Sequence, residues 1–317
     1  MSKKDYRVRN WNDYNEALVA RGSITFWFDD KSIKSWHKTP KKKGRGRRQT
    51  YGELAIICGL TIKAVFKLAY RATEGFIKSL VKMLKLEIKV PDYSLLCKRQ
   101  KSVQVTLPTK VRKGEGLHIV CDSTGLKVFG EGEWKTRRHG PTKKRLWRKL
   151  HLAIDSKTQM IVACELTDLG IQDCEGFKSL IDAIKKPVAV AIGDGAYDRF
   201  SCYEVMEKKG GKGIFPPQRN AVTSSERPAN KSKGSRAVVE KRDKAIMQVR
   251  SLGRKKWKEK TGYHQRSLAE TGMFRVKTLL GKRLRCHTLE NQCVEARIWC
   301  SIVNKMTLLG MPKTVAV

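Results

Sequence analysis

Two aspartates close apolar stretches of the chain. Asp122 follows Leu117-His-Ile-Val-Cys, and Asp194 follows Val188-Ala-Val-Ala-Ile-Gly. Both stretches read as strands buried in a sheet. The carboxyl ends of such strands line the functional crevice of α/β sheets, although an Asp there serves equally as a cap or a turn residue. With a third carboxylate, such a pair can hold two divalent cations, the arrangement that promotes phosphoryl transfer. The third candidate lies in Tyr263-His-Gln-Arg266-Ser-Leu-Ala-Glu270-Thr-Gly-Met-Phe-Arg-Val-Lys277. On a helix turning ~100° per residue, with Tyr263 at zero, Arg266 falls at about 300°, Glu270 at about 340° and Lys277 at about 320°. An aromatic ring, two cations and a carboxylate then share one sector, a face poorly suited to a core. The competing interpretation is a solvated face carrying an Arg266/Glu270 (i, i+4) pair.

These residues need a scaffold, and the pattern from Gly116 onward supplies one. Leu117–Thr124 reads as a strand and Leu126–Phe129 as the start of a second. The stretch from Leu150 to Leu166 reads as a hairpin turning at Asp155–Thr158. Glu175–Lys185 is an amphipathic helix with Asp173 as its expected cap. A strand at Val188–Asp194, a helix at Phe200–Lys208 and a short strand at Gly213–Pro216 follow; beyond the polar loop Arg219–Arg236, helical patterns run to about residue 306. The order β-β-β-α-β-α-β-α predicts a mixed sheet flanked by helices. Upstream, Ala55, Gly59 and Val65 have the A-x3-G-x5-V spacing of a helix-turn-helix with Gly59 at the turn, a spacing that a plain helical hairpin also gives. Helical spacing continues through Val65, Leu68, Ala69, Phe76, Leu80, Met83 and Leu84 to Pro91.

Charge narrows the partners. The 317 residues hold 67 Lys+Arg against 30 Asp+Glu, a formal net charge of +37, while 40% hydrophobic residues suffice for a large core. A folded protein with that balance points to a polyanion. Lys38–Arg48 carries seven cations (including Lys41, Lys42, Lys43, Arg45, Arg47 and Arg48) and no acid. It reads either as a solvated linker or as an arm along a phosphate backbone. Arg137–Lys149 carries another seven, with Lys143, Lys144 and Arg145 beside Trp147. It is expected to contact DNA with Trp147 as a stacking surface; the alternative is a basic loop with Trp147 tucked into the core. The start lacks the apolar region of a signal peptide and no run reaches the ~20 apolar residues of a membrane helix, so an intracellular protein without membrane contact is expected. The nine cysteines include no C-x-x-C. Cys286, Cys293 and Cys300 recur every seven residues, which suggests small buried side chains on one helix face.

Tyr263, Arg266, Glu270 and Lys277 match Y-x2-R-x3-E-x6-K without a gap, and the chain thereby resembles the bacterial insertion-sequence DDE transposases that carry this signature. Val120-Cys-Asp-Ser-Thr-Gly125 is similar to the first acidic motif of that group, and Ile192-Gly-Asp-Gly-Ala-Tyr-Asp198 to its second. The resemblance spans about residues 50 to 306. It implies an RNase H-like fold with Asp122, Asp194 and Glu270 as catalytic, metal-holding residues, two Mg²⁺ ions as cofactor with Mn²⁺ as a substitute, and Asp198 as a helix cap. It further implies that Arg266 and Lys277 hold phosphates near a transposon end, with Tyr263 close to the terminal nucleotide. The expected partners are double-stranded DNA, both terminal inverted repeats and target, and a second copy of the chain as a homodimer on that DNA. The expected place is the bacterial cytoplasm, on the nucleoid. The expected domains are residues 1–110, a basic arm with a helical DNA-binding region, and residues 111–317, the catalytic domain. A metal-dependent nuclease without strand transfer, and a DNA-binding protein derived from a transposase, are the alternative functions.

Overall fold

The computed structural model describes residues 6–37, 50–108, 115–128, 146–226 and 234–316. Lys41, Lys42, Lys43, Arg45, Arg47, Arg48, Lys143, Lys144 and Arg145 lie outside the described residues. The chain forms two compact units, residues 1–106 with 288–317, and residues 107–287. This partition differs from the expected one after residue 110, because the last helix joins the first unit.

In the first unit a short strand β1 (Tyr6–Val8) precedes helices α1 (Trp11–Ala20), α2 (Ile24–Trp27), α3 (Asp30–Lys34), α4 (Glu53–Val65), α5 (Tyr70–Met83) and α6 (Tyr93–Gln100). Phe28, Trp36, Ala55, Cys58, Ile62 and Ile77 form its core, and the Trp36 indole donates to Lys89 O at 2.7 Å. The helix Leu289–Leu309 packs on α4 and α1, and Gln100 Nε2 donates to Asn291 O at 2.7 Å. The helix-turn-helix expectation fails at its turn. Gly59 lies inside the single helix α4, where a Cβ would stand 3.0 Å from Leu96 Cδ2 and 3.5 Å from Ile77 Cδ1. This glycine admits close neighbours rather than reversing the chain. The break comes later, between Val65 and Tyr70, with Lys67 at φ 55°.

The second unit is built on a sheet of β2 (Leu117–Val128), β3 (Trp147–Asp155), β4 (Ile161–Asp168), β5 (Val188–Ile192), β6 (Lys212–Ile214) and β7 (Arg283–Leu284). Its helices are α7 (Asp173–Asp182), α8 (Phe200–Lys208), α9 (Arg236–Thr261) and α10 (Ser267–Leu280). The spatial order is β4-β3-β2-β5-β6, with β2, β3 and β4 antiparallel and β5 and β6 parallel to β2. Leu126 continues β2 rather than opening a new strand: it pairs with Arg148 and Lys127 with Trp147 of β3, and Lys127 and Val128 pair with β7. Strand pleating puts alternate side chains of β2 on opposite faces. Leu117, Ile119 and Cys121 pack with Phe177 and Leu180 of α7 and with Tyr203 and Met206 of α8. The other face receives α10, whose Gly272 lets Ile154 approach to where a Cβ would be only 2.1 Å away. The repeat of cysteines does not lie on one helix, since Cys286 precedes the helix that carries Cys293 and Cys300.

One detail of the pairing matters for the site. On one side β2 pairs with β5 only from Leu117 to Val120, and with β7 only at Lys127 and Val128. Between them, on that side and among the described residues, no strand pairs with residues 121–126.

Candidate active site

Asp122 lies in this gap, in the middle of β2 and opposite Leu152 of β3. It is therefore not at a strand end, as the sequence pattern suggested. Asp194 does follow the end of β5, where it caps a 3-10 turn at Gly195–Tyr197 by accepting from Ala196 N at 2.9 Å. Glu270 comes from the first turn of α10. Tyr263–Arg266 form a separate 3-10 turn after Gly262, which sits at φ 70°, so the four signature residues do not share one ideal α-helix. Tyr263 is turned inward. It is 9% exposed, its ring centroid is 6.0 Å from that of Trp257, and Lys258 Nζ lies 5.3 Å from its centroid.

Arg266 joins the elements. Its Nη2 donates to Asp122 Oδ2 at 3.0 Å and its Nη1 to Glu270 Oε1 at 2.7 Å. The (i, i+4) pair considered for a solvated face is thus present, with β2 drawn in as a third partner. Lys277 Nζ reaches the same strand, donating to Thr124 Oγ1 at 2.5 Å. Thr124 had no assigned role in the sequence, yet the strand period places it on the face of Asp122.

The electrostatics agree with a crowd of acids in a half-buried pocket. Burial pushes the Asp122 carboxyl above its usual range; the Ser123 amide and Arg266 pull it down, and Asp194 and Asp173 push it up again. Burial disfavours the charge on Arg266, yet Asp122, then Tyr263, Glu270 and Asp194, raise its pKa overall. Burial lowers the pKa of Lys277, with Lys282 adding to it, and burial raises that of the Tyr263 phenol. Among the described residues no three His, Cys, Asp or Glu side chains form a ready-made metal cage. The donor set itself suits a hard divalent cation, which takes carboxylate oxygens, and the mutual repulsion felt at Asp122 is what such a cation relieves.

Two further acids have other duties. Asp198 does not cap α8, whose N-cap is Arg199. Its carboxylate is gripped by Arg242 through Nε at 2.9 Å and Nη2 at 2.8 Å. Asp173 is the first residue of α7 and not its cap, because Gln172 and Glu175 form the capping box. Asp173 Oδ1 lies 3.1 Å from Lys149 Nζ and 3.6 Å from Nδ1 of the buried His151. Trp147 is half-buried on β3 opposite Lys127, whose Nζ is 5.5 Å from its ring centroid. By strand alternation it belongs to the face away from Asp122.

A sheet of three antiparallel strands continued by parallel ones, with helices on both faces, is the RNase H-like fold. Family models described as Transposase DDE domain match residues 113–304 and, separately, residues 19–131. The first covers more than half of the 317 residues, and the chain belongs to this family, the DDE transposases. Among solved structures the chain is similar to the piggyBac transposase synaptic complex with hairpin DNA, at 11% identity over 97% of this chain and 77% of that chain, with a TM-score of 0.38. No helix among the described residues is long and apolar enough to cross a membrane.

Proposed function

We propose that the protein is an active bacterial insertion-sequence transposase that nicks DNA at the ends of its own element and directs the freed 3′-hydroxyls to target DNA. The observation that carries the reading is the meeting of Asp122 from β2 with Glu270 from α10 through Arg266, in a chain of the DDE transposase family. Asp194, which with them raises the pKa of Arg266, completes the acidic set. In this reading Asp122, Asp194 and Glu270 hold two Mg²⁺ ions, for which Mn²⁺ substitutes. Bound there, the ions activate the attacking hydroxyl and stabilise charge on the phosphate and the leaving oxygen.

The chain's own residues do the positioning. Arg266 offers a planar fork to a phosphate, and Lys277 a point charge tethered to β2 through Thr124. Tyr263, braced by Trp257, orients the terminal nucleotide. The basic arm with Lys41–Lys43, Arg45, Arg47 and Arg48, and the segment with Lys143, Lys144, Arg145 and Trp147, extend the contact along the duplex, and the protein acts as a homodimer on it.

The test is incubation with the DNA flanking its own gene plus Mg²⁺, with mapping of 3′ ends and sequencing of joined products. End-specific nicks and joined molecules are expected. Cutting without joining points to a nuclease of the same fold, and binding alone to a DNA-binding derivative.

A further inference from the structure

We infer that Arg266 is an exchangeable counter-ion that couples the two binding events at this site: it neutralises Asp122 and Glu270 until a DNA phosphate draws it away, so that DNA and divalent cation bind cooperatively. The inference rests on the reading of these carboxylates as metal ligands and adds their regulation. Three observations carry it. First, the guanidinium divides itself between two carboxylates from different elements, one N–H to each. Neither partner receives the parallel pair of bonds that makes arginine a strong carboxylate ligand. Second, its Nε is buried without a hydrogen-bond partner, so part of its donor capacity is unspent. Third, the side chain remains 25% exposed and Glu270 59% exposed, so a duplex can reach the pair from solvent.

The oxygens that Arg266 engages are those that a divalent cation needs. Two positive groups on the same oxygens repel one another at contact distance, so arginine and metal compete for Asp122 and Glu270. A phosphate can accept both arms of the fork and win the guanidinium from partners that each take one. Removing the arginine from the carboxylates then raises their affinity for the cation. By linkage, the cation raises affinity for DNA by the same factor.

The experiment measures Mn²⁺ binding to the full-length protein by electron paramagnetic resonance, with Mg²⁺ as competitor, with and without a short mixed-sequence duplex. In the unaltered protein the duplex should tighten Mn²⁺ binding by about tenfold, within the usual span of coupling between sites. Arg266→Gln, checked for folding by thermal melting, should bind Mn²⁺ without DNA as tightly as the unaltered protein does with it, and the duplex should add nothing further. Arg266→Lys, which keeps the charge and loses the fork, should fall between. Unchanged or weaker Mn²⁺ binding in Arg266→Gln, with binding still lost in Glu270→Gln, overturns the counter-ion role and leaves the metal-ligand reading standing. Mn²⁺ binding that survives intact in both Asp122→Asn and Glu270→Gln overturns the metal-ligand reading itself, and the counter-ion role falls with it.

Discussion

Arg242 and Arg266 both hold an aspartate of the second unit, and they do so in opposite ways. Arg242 grips the single carboxylate of Asp198 with two nitrogens, and the side chains are 7% and 0% exposed. Its guanidinium also lies 5.4 Å from the centre of the Phe200 ring, and the Asp198 carboxylate further accepts from Gln218 N. Arg266 divides its nitrogens between two acids, leaves Nε without a partner, and stands with Asp122 at 25% and 15% exposure. The first pair is closed: both carboxylate oxygens are engaged by the guanidinium, and the pair is buried from solvent. The second is open to a competitor. The same residue types thus make a closed structural tie four residues after Asp194 and an open contact at Asp122, and the difference lies in saturation and access rather than in charge.

The contrast can be broken most sharply at the acids. Asp122→Ala, Asp194→Ala and Glu270→Ala should each lower end cleavage by on the order of 10²–10³-fold, the scale seen when a group acting on developing charge is lost. Binding to DNA should be kept or strengthened in gel-shift titration, because negative charge near phosphates has gone. Normal cleavage by any one of the three would remove that residue from the set. Asp198→Asn should behave differently. It leaves Arg242 buried without its counter-charge, a loss of about 3–5 kcal/mol in unfolding free energy, with activity falling only as the folded fraction falls. Denaturant melts of Asp198→Asn, Arg242→Met and the double variant should show partial recovery in the double, since the uncompensated charge is then absent.

Arg266→Ala and Lys277→Ala form the middle of the scale. Each removes a charge-assisted phosphate contact worth ~1.5–3 kcal/mol, so binding to the element's ends should weaken, while melting temperature changes little. Arg266→Lys should recover only part of the binding because an ammonium cannot supply two parallel donors. A large loss of melting temperature in Arg266→Ala would make this arginine a structural tie like Arg242.

The smallest effect should appear in the pH dependence of stability. The folded protein holds the Asp122 carboxyl above its unfolded pKa, so this group favours folding while protonated and that contribution is lost as pH rises through the folded value. Asp122→Asn should therefore stabilise the protein at neutral pH and flatten the curve above about pH 4. The buried His151 works with the opposite sign. Burial holds its imidazole down at about 4, so stability falls as pH drops from about 6.5 toward that value. Melts of Asp122→Asn in a His151→Gln background separate the two, and an unchanged slope above pH 4 would show that Asp122 is not strained by its surroundings.

The sheet and its acids were legible in the sequence because buried strands leave continuous apolar runs and Asp122 and Asp194 interrupt them visibly. Glu270 was legible through its neighbours Tyr263, Arg266 and Lys277. Contacts between residues distant in sequence left no such trace. Asp198 looks like a cap because nothing near it announces Arg242, and Thr124 looks like the frayed end of a strand because its neighbours Ser123 and Gly125 are not apolar, although β2 runs on to Val128. Gly59 misled for a different reason: one glycine between apolar residues has the same spacing whether it turns the chain or lets a neighbouring helix come close. The divided grip of Arg266 needed β2 and α10 to be packed before it could be seen at all.

The interruption in the pairing of β2 also gives the site its own reporter. Odd-numbered amides of this strand point toward β5 and β7, as those of Leu117 and Lys127 do in donating to Pro187 O and Lys282 O. Along the gap, the amide of Ser123 is held by the Asp122 carboxylate at 2.8 Å in place of a ladder partner, and that of Gly125 faces the same opening. In deuterated solvent the odd-numbered amides along the gap should therefore exchange faster than those at the two ends of the strand, while the even-numbered ones between them stay in the ladder with β3, although a strand so placed is ordinarily among the last to open. Protection that appears at Ser123 and Gly125 when duplex and Mg²⁺ are added would mark occupancy of the gap atom by atom, with no need for a chemical step to occur.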